Sequence, residues 1–123
     1  MEEFLRPLKA LSDETRLRML NILTDEECCV CEVMQALDIS QTRASRNLKI
    51  LEEAGFLKSR RDGTWIHYSL SECPPRNFAA ALVKITGEYT KKNPALKKDL
   101  EQLKKAKQMG LCCAGNVKNC RKP

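Results

Sequence analysis

The sequence predicts a mainly helical fold of the winged helix-turn-helix type, with a short β-hairpin attached to a helical body. Over residues 4–54, apolar residues recur every three to four positions, as they do in amphipathic helices. After Gly55 this period shortens to two, as it does in half-buried strands. The pair Asp62-Gly63 then divides residues 56–70 into two halves, which is a strong signal for a hairpin turn. We therefore expect helices first and a two-stranded hairpin after them.

Each of the four helices before the hairpin is predicted from an apolar stripe and a polar residue that starts or stops it. Ser12 or Asp13 separates the first helix from the second, and Ser40 can cap the fourth. Only residues 38–40 separate the third helix from the fourth, and two helices joined so tightly are typical of a helix-turn-helix. The four stripes are Phe4, Leu5, Leu8 and Leu11; Leu17, Leu20 and Leu23; Val30, Val33, Met34 and Leu37; and Ala44, Leu48 and Leu51.

The fourth predicted helix has the composition of a DNA-reading helix. Its outward positions are polar or basic over the first turns, and acids appear only at its far end, in Glu52 and Glu53. Side chains of these types hydrogen-bond base edges and phosphates. The hairpin that follows is basic, so we interpret it as a wing whose cations reach phosphate or the minor groove. The candidate DNA-binding residues are Gln41, Thr42, Arg43, Ser45, Arg46 and Lys49 on the helix, and Lys58, Arg60 and Arg61 on the wing.

The charge of the chain is segregated, which favours a polyanionic partner such as double-stranded DNA. The whole sequence has 22 Lys and Arg against 16 Asp and Glu, a net charge of +6. Residues 1–39 have nine acids and four bases, a net charge of −5, whereas residues 41–61 have six bases and two acids, a net charge of +4. Residues 91–123 have ten bases and two acids, a net charge of +8. For residues 91–107 we favour a solvated helix face over a DNA contact.

The chain is predicted to have two parts. Residues 1–90 form the winged helix-turn-helix domain, whose last helix has the stripe Phe78, Leu82, Ile85 and Tyr89. Residues 91–123 form a basic helical extension with a cysteine-rich tail. The extension has only a thin apolar seam, which cannot make a core by itself, so it packs either on a partner subunit or back on the body. The seam residues are Leu96, Leu100 and Leu103.

Seven cysteines and a single histidine, His67, make thiol chemistry the second functional feature of the chain. An odd number of cysteines cannot all pair in intramolecular disulfides. The first residues show neither a basic nor an apolar leader segment, and no apolar run approaches the roughly 18 residues of a membrane span. We therefore expect a cytoplasmic protein without a membrane partner. In that reducing compartment, clustered cysteines are more often metal ligands or redox groups than structural disulfides.

Two cysteine trios are candidate ligand sets for a soft, thiophilic ion. The first trio stands at the predicted start of the third helix, where backbone amides favour thiolates although the acids at 25–27 oppose them. The tail trio is surrounded by lysines, which lower thiol pKa values. We give preference to the first trio, and interpret His67 as a packing residue and Cys73 as a spare. The first trio is Cys28, Cys29 and Cys31, and the tail trio is Cys112, Cys113 and Cys120.

These features together resemble those of a known family. The chain resembles the ArsR/SmtB family of winged-helix metal-sensing repressors, and within it the arsenite-responsive repressors. The resemblance covers roughly residues 4–90 and depends on four ordered motifs. They are Leu11-Ser12-Asp13-Glu14-Thr15-Arg16-Leu17, Cys29-Val30-Cys31-Glu32-Val33, Ser40-Gln41-Thr42-Arg43-Ala44-Ser45-Arg46-Asn47-Leu48 and Gly63-Thr64-Trp65-Ile66-His67-Tyr68-Ser69-Leu70.

The resemblance implies a homodimer whose terminal helices form the interface, bound to operator DNA until a metal ion releases it. For the arsenite-responsive members it implies trivalent arsenic or antimony as inducer, held by three sulfurs in a pyramid, and no organic cofactor. These repressors commonly place a third thiol three residues after the Cys-Val-Cys pair, and this position is Met34 here. We therefore expect Cys28 or a cysteine of the tail to complete a site at Cys29 and Cys31.

The same cysteines are compatible with two other functions. The signal could instead be oxidation, through a reversible disulfide between Cys28 and Cys31, or a soft divalent ion such as cadmium, lead or zinc. The chain could also be a thiol enzyme of the arsenate reductase type, which needs an arginine six residues after its cysteine to clamp the oxyanion. The corresponding residues after Cys29, Cys112 and Cys113 are Gln35, Lys118 and Asn119. We therefore predict that the protein is not an enzyme.

Overall fold

A computed structural model describes residues 1–24, 26–71 and 77–109, without the side chains of residues 77–82 and 90. It confirms the predicted winged helix-turn-helix fold. The elements in chain order are α1 (Glu2–Leu11), α2 (Glu14–Leu23), β1 (Cys28–Cys29), α3 (Val30–Leu37), α4 (Gln41–Glu53), β2 (Leu57–Asp62), β3 (Trp65–Leu70), α5 (Asn77–Thr90) and α6 (Pro94–Met109).

The helix-turn-helix is fixed by caps that the sequence provides. The Asp13 carboxylate accepts the Arg16 backbone N–H at 3.1 Å at the start of α2, and the Ser40 hydroxyl accepts the Arg43 N–H at 3.2 Å at the start of α4. Between the two helices of the motif, Asp38 ends α3 in the left-handed region, with φ 54°. This conformation turns the chain sharply enough for α4 to begin three residues later.

The wing is a three-stranded antiparallel sheet with the order β1-β3-β2. The predicted hairpin is present, but its turn lies one residue later than expected. Asp62 still pairs with Trp65, so Gly63 and Thr64 make the turn, and Gly63 has φ +64°. The third strand, β1, was not predicted. Cys28 and Cys29 therefore belong to a strand, and α3 begins only at Val30, which corrects the predicted helix start.

The core lies between α2, α3, α4 and the base of the wing. Met19, Val33, Leu48, Leu51 and Phe56 are completely or almost completely buried there. The apolar side chains that remain at the surface of this protomer include two pairs, one on α1 and one on α5. They are Phe4 and Leu5, and Ile85 and Tyr89.

Helix α6 packs on the body of the same chain, against α3 and α2. Leu96, Leu103 and Ala106 are buried in this contact, whereas Leu100 stays partly exposed. The thin apolar seam of the sequence therefore packs back on the body, one of the two predicted alternatives. Among residues 1–24, 26–71 and 77–109, no helix combines the length and the hydropathy that crossing a membrane requires.

Candidate DNA-binding surface and cysteine cluster

The outward face of α4 presents most of the predicted DNA-reading side chains to solvent. Thr42, Arg46 and Lys49 are exposed, and Gln41 is half-buried. The first turn of α4 contains no acid, so the positive end of the helix dipole is not offset there. The Ser45 hydroxyl is covered by neighbours and has no hydrogen-bond partner among the described residues.

Arg43, also predicted to contact DNA, is exposed, but one end of its guanidinium bonds the body. Its guanidinium Nη2 donates to the Thr15 hydroxyl on α2 at 3.0 Å, and its backbone carbonyl accepts from Asn47 Nδ2 at 2.9 Å. Arg16 continues this network, since Nη1 donates to Asn47 Oδ1 at 2.8 Å and Nε to the Ala10 carbonyl of α1 at 2.7 Å. Sequence reasoning missed the network, although Arg16 stands in one of the motifs that carry the family resemblance. It fixes the orientation of α4 relative to α1 and α2.

The two arginines of the wing lie on opposite faces of β2, because neighbouring residues of a strand alternate. Ser59 shares the face of Arg61, and its hydroxyl donates to Glu52 Oε2 of α4 at 2.6 Å. Arg61 is exposed on this face. Arg60 is on the other face, where Nε donates to Glu27 Oε2 at 2.9 Å and a second guanidinium N–H bonds the other carboxylate oxygen. The hydrogen bond from Arg60 lowers the pKa of Glu27.

The three cysteines of the first trio are fully buried but are not assembled in one cluster. Because side chains of adjacent strand residues point to opposite faces, Cys28 packs in the main core while Cys29 and Cys31 pack together against Trp65. Cys29 is disulfide-bonded in this structure, so its sulfur must be reduced before it can bind an ion. Within the described part of the chain, no group of three or more His, Cys, Asp and Glu side chains is arranged to hold a metal ion.

Cys28 has the environment of a structural thiol. Burial raises its pKa from an ordinary 9.0 to about 12, and Glu32, Glu26 and Glu27 add to the increase while Lys107 opposes it. Cys28 is therefore a neutral thiol at physiological pH. Cys28 and Cys31, the pair considered for an oxidation switch, are not joined by a disulfide and pack in separate clusters.

The end of α6 lies against the segment that contains the first trio. Lys107 Nζ donates to the Glu27 carbonyl at 2.9 Å and to Glu32 Oε1 at 3.3 Å. The same Glu32 oxygen accepts the Cys29 backbone N–H at 3.0 Å at the start of α3. The buried His67 of β3 stands opposite Cys29 in the sheet. The tail trio, Cys112, Cys113 and Cys120, and Cys73 lie outside the described residues.

Similarity to known proteins agrees with this geometry. A family model described as "Bacterial regulatory protein, arsR family" matches residues 13–59. The arsenic resistance transcriptional regulator ArsR1 of Pseudomonas putida is 47% identical over 86 residues, which are 67% of this chain and 67% of that protein. The arsenical resistance operon repressor of Escherichia coli K12 is 44% identical over 84 residues, 65% of this chain and 71% of that protein.

Solved structures share the same fold. The homodimeric winged helix-turn-helix DNA-binding domain Mb0332 of Mycobacterium bovis superposes with a TM-score of 0.62 at 27% identity, covering 76% of this chain and 82% of that one. The transcriptional repressor BigR of Xylella fastidiosa superposes with a TM-score of 0.56 at 33% identity, covering 68% of this chain and 83% of that one.

Proposed function

We propose that this chain, which belongs to the ArsR family of DNA-binding transcriptional repressors, is a cytoplasmic repressor that trivalent arsenic or antimony releases from operator DNA. The family has no enzymatic activity, and the chain is related within it to arsenic-resistance regulators. The inducer binds cysteine thiolates as a ligand and is not a resident cofactor. The observation that carries the proposal is that the buried side chains of Cys29 and Cys31 pack in one cluster. They lie on the segment that leads into the helix-turn-helix.

The DNA-binding form is a homodimer in this proposal. Phe4 and Leu5 of α1 and Ile85 and Tyr89 of α5 are exposed in the protomer, and such side chains gain most when a partner covers them. The terminal helices are also where the family resemblance puts the interface. Each protomer then presents one α4 to one half-site, with Arg46 reading bases and Lys49 and Arg61 contacting phosphate.

The third sulfur of the inducer site comes from the tail trio. Lys107, close to the end of α6, already contacts Glu32, which bonds the backbone of Cys29. Cys112 and Cys113 follow Met109, the last residue of α6, by three and four residues, a reach of at most about 14 Å. The alternative third ligand is Cys28, which must first rotate out of the core and lose a strongly held proton.

Once a thiol reductant has converted Cys29 to a free thiol, the binding itself is a ligand exchange without a redox step. Arsenous acid has three As–O bonds, and each is replaced by an As–S bond. The three thiol protons leave with the three hydroxyl groups as water. Soft thiolate sulfur favours a soft, thiophilic centre over hard cations, which selects arsenic and antimony over magnesium or calcium.

Operator release in reducing buffer tests the proposal. The operator is a duplex that the protein itself selects from a random pool, and binding is followed by fluorescence anisotropy with and without sodium arsenite. We expect arsenite to weaken binding by about 5- to 150-fold, the usual range of allosteric coupling. The response should disappear in Cys29→Ser/Cys31→Ser and in the tail triple variant Cys112→Ser/Cys113→Ser/Cys120→Ser. It should persist in Cys28→Ser, the matched single-thiol control.

Three other results would change the proposal. If arsenite leaves operator binding of the reduced wild-type protein unchanged, the metalloid function is wrong. A response that survives in the tail variant and is lost in Cys28→Ser assigns the first trio instead. Release by peroxide without any metalloid, restored by a reductant, supports the oxidation switch, whereas release by cadmium, lead or zinc alone supports a divalent inducer.

A further inference from the structure

The segment with the paired cysteines is also part of the wing. Strand β1 pairs with β3 at the edge of the wing sheet, with Cys28 opposite Tyr68 and Cys29 opposite His67. On the other side of β3, His67 stands opposite Arg60 of β2. His67 of the central strand thus lies between Cys29 of β1 and Arg60 of β2 across the sheet.

A second connection joins the same two regions. Glu27, the residue before β1, forms a two-pronged ion pair with Arg60. The Glu27 side chain is 36% exposed and that of Arg60 54%, so water partly screens the pair. Arg60 also has Asp62 Oδ2 at 3.9 Å from Nη1, which adds a further acid on its own strand. The guanidinium predicted to contact DNA is therefore held beside carboxylates.

The two wing arginines are consequently in different situations. Arg61 is on the face of β2 that Ser59 ties to α4, and this is the face next to the reading helix. Arg60 is on the opposite face, toward the segment before β1. An ion-paired guanidinium on the far face is poorly placed to neutralise a phosphate, because it would first have to leave its carboxylate.

We propose that Arg60 is a positioning residue, which ties the wing to the cysteine segment through Glu27, and that inducer binding releases the wing by breaking this tie. The inference rests on the proposed function for the identity of the inducer. When Cys29 and Cys31 are drawn with a third sulfur onto the inducer, β1 leaves β3 and Glu27 moves away with it. The wing then loses the strand that covers its edge and the ion pair of Arg60. Arg61 is then no longer held against the DNA backbone.

The size of these contacts suits a switch. Strand β1 has only two residues, so its separation from β3 breaks few backbone hydrogen bonds. The partly exposed ion pair is also a weak contact. A ligand that binds the released form somewhat more tightly than the DNA-bound form can break both the β1–β3 pairing and the ion pair. The buried core of α2, α3 and α4 keeps its packing.

The test compares Arg60→Gln and Glu27→Gln with the matched wing variant Arg61→Gln, and adds the charge reversal Glu27→Arg/Arg60→Glu. Operator affinity is measured by anisotropy over a range of salt concentrations, with and without sodium arsenite. We expect Arg60→Gln and Glu27→Gln each to weaken arsenite-free binding about two- to fivefold, to leave the salt slope unchanged, and to reduce the arsenite effect by the same factor. The charge reversal should restore both values.

Arg61→Gln should behave differently. It should lower the salt slope by about two in a dimer, one phosphate contact per wing, and keep the fold-change caused by arsenite. If Arg60→Gln lowers the salt slope as much as Arg61→Gln and keeps the arsenite effect, Arg60 is a phosphate contact and the inference is wrong. If wild-type protein does not respond to arsenite at all, the proposed function and the inducer step fail together, and the salt slopes still decide whether Arg60 positions the wing.

Discussion

Replacing Asp99 by asparagine should detach α6 from the body at its strongest polar contact. The Asp99 side chain is 3% exposed, and its two oxygens accept from Arg18 Nε at 2.8 Å and Nη2 at 2.9 Å. Removing one partner of a fully buried pair costs about 3–5 kcal/mol, whereas a fully exposed pair contributes about 0.2–1 kcal/mol. Arg18 is 28% exposed and keeps a 3.3 Å bond to the Leu37 carbonyl. We therefore expect a loss of about 2–3 kcal/mol, between these limits.

Urea unfolding followed by far-ultraviolet circular dichroism measures this loss. With a slope of about 1.5 kcal/mol per molar urea for a chain of this size, the midpoint should fall by about 1.3–2 M. Two controls accompany the variant. The exposed Arg6–Glu2 pair should contribute little, so Glu2→Gln should change stability by no more than about 0.5 kcal/mol. The double variant Arg18→Met/Asp99→Leu, which leaves no charge unpaired, should recover most of the lost stability.

The reasoning would be refuted by a loss below about 1 kcal/mol in Asp99→Asn, because the ion pair would then not hold α6. It would also be refuted if the apolar double variant were as unstable as the single one. That result would mean that the shape of the contact, and not the unpaired Arg18 charge, sets the cost.

The remaining predictions concern the core thiol, the reading helix and the polar network behind it. The folded protein keeps the Cys28 proton to about pH 12, whereas the unfolded chain loses it near pH 9, so this thiol stabilises the fold fully below pH 9. Stability should fall between pH 9 and 12 by up to about 1.4 kcal/mol per pH unit, and Cys28→Ser, compared with wild type in urea titrations, should show a smaller decline. Arg46→Ala should relax operator selectivity, whereas Lys49→Ala should weaken specific and random DNA alike; equal losses on both DNAs for Arg46→Ala would argue against base reading. Asn47→Ala should cost about 1–3 kcal/mol, because it leaves a part-buried Arg16 N–H without its acceptor; a thermal unfolding temperature equal to that of wild type would contradict this.

The fold was predictable because its signals are local. The short linker at 38–40, the cap at Ser40 and the change of apolar period after Gly55 each act within a few residues of the chain. Strand β1 was not predictable, because two adjacent cysteines have no period and their strand exists only through pairing with Tyr68 and His67. The hairpin turn moved by one residue for a similar reason, since cross-strand pairing extends to Asp62.

The candidate site was predictable in residue type but not in arrangement. The sequence identifies Cys28, Cys29 and Cys31 as one trio, yet strand geometry separates the first from the other two. The basic character of the wing was also predicted correctly, because it depends only on composition. The ion pair of Arg60 with Glu27 was not predicted, because it joins residues far apart in the chain. Long-range partners of this kind cannot be inferred from spacing alone.

The network around Arg16 has a consequence for the geometry of the operator. Arg16 bonds the last turn of α1 through the Ala10 carbonyl and bonds α4 through Asn47. In a dimer built on α1, the helix at the subunit interface and the helix in the major groove are thus braced against each other. The distance between the two reading helices of the dimer is then fixed by the protein. An operator whose half-sites do not match this distance must bend or twist to fit, at a cost of order 1–6 kcal/mol.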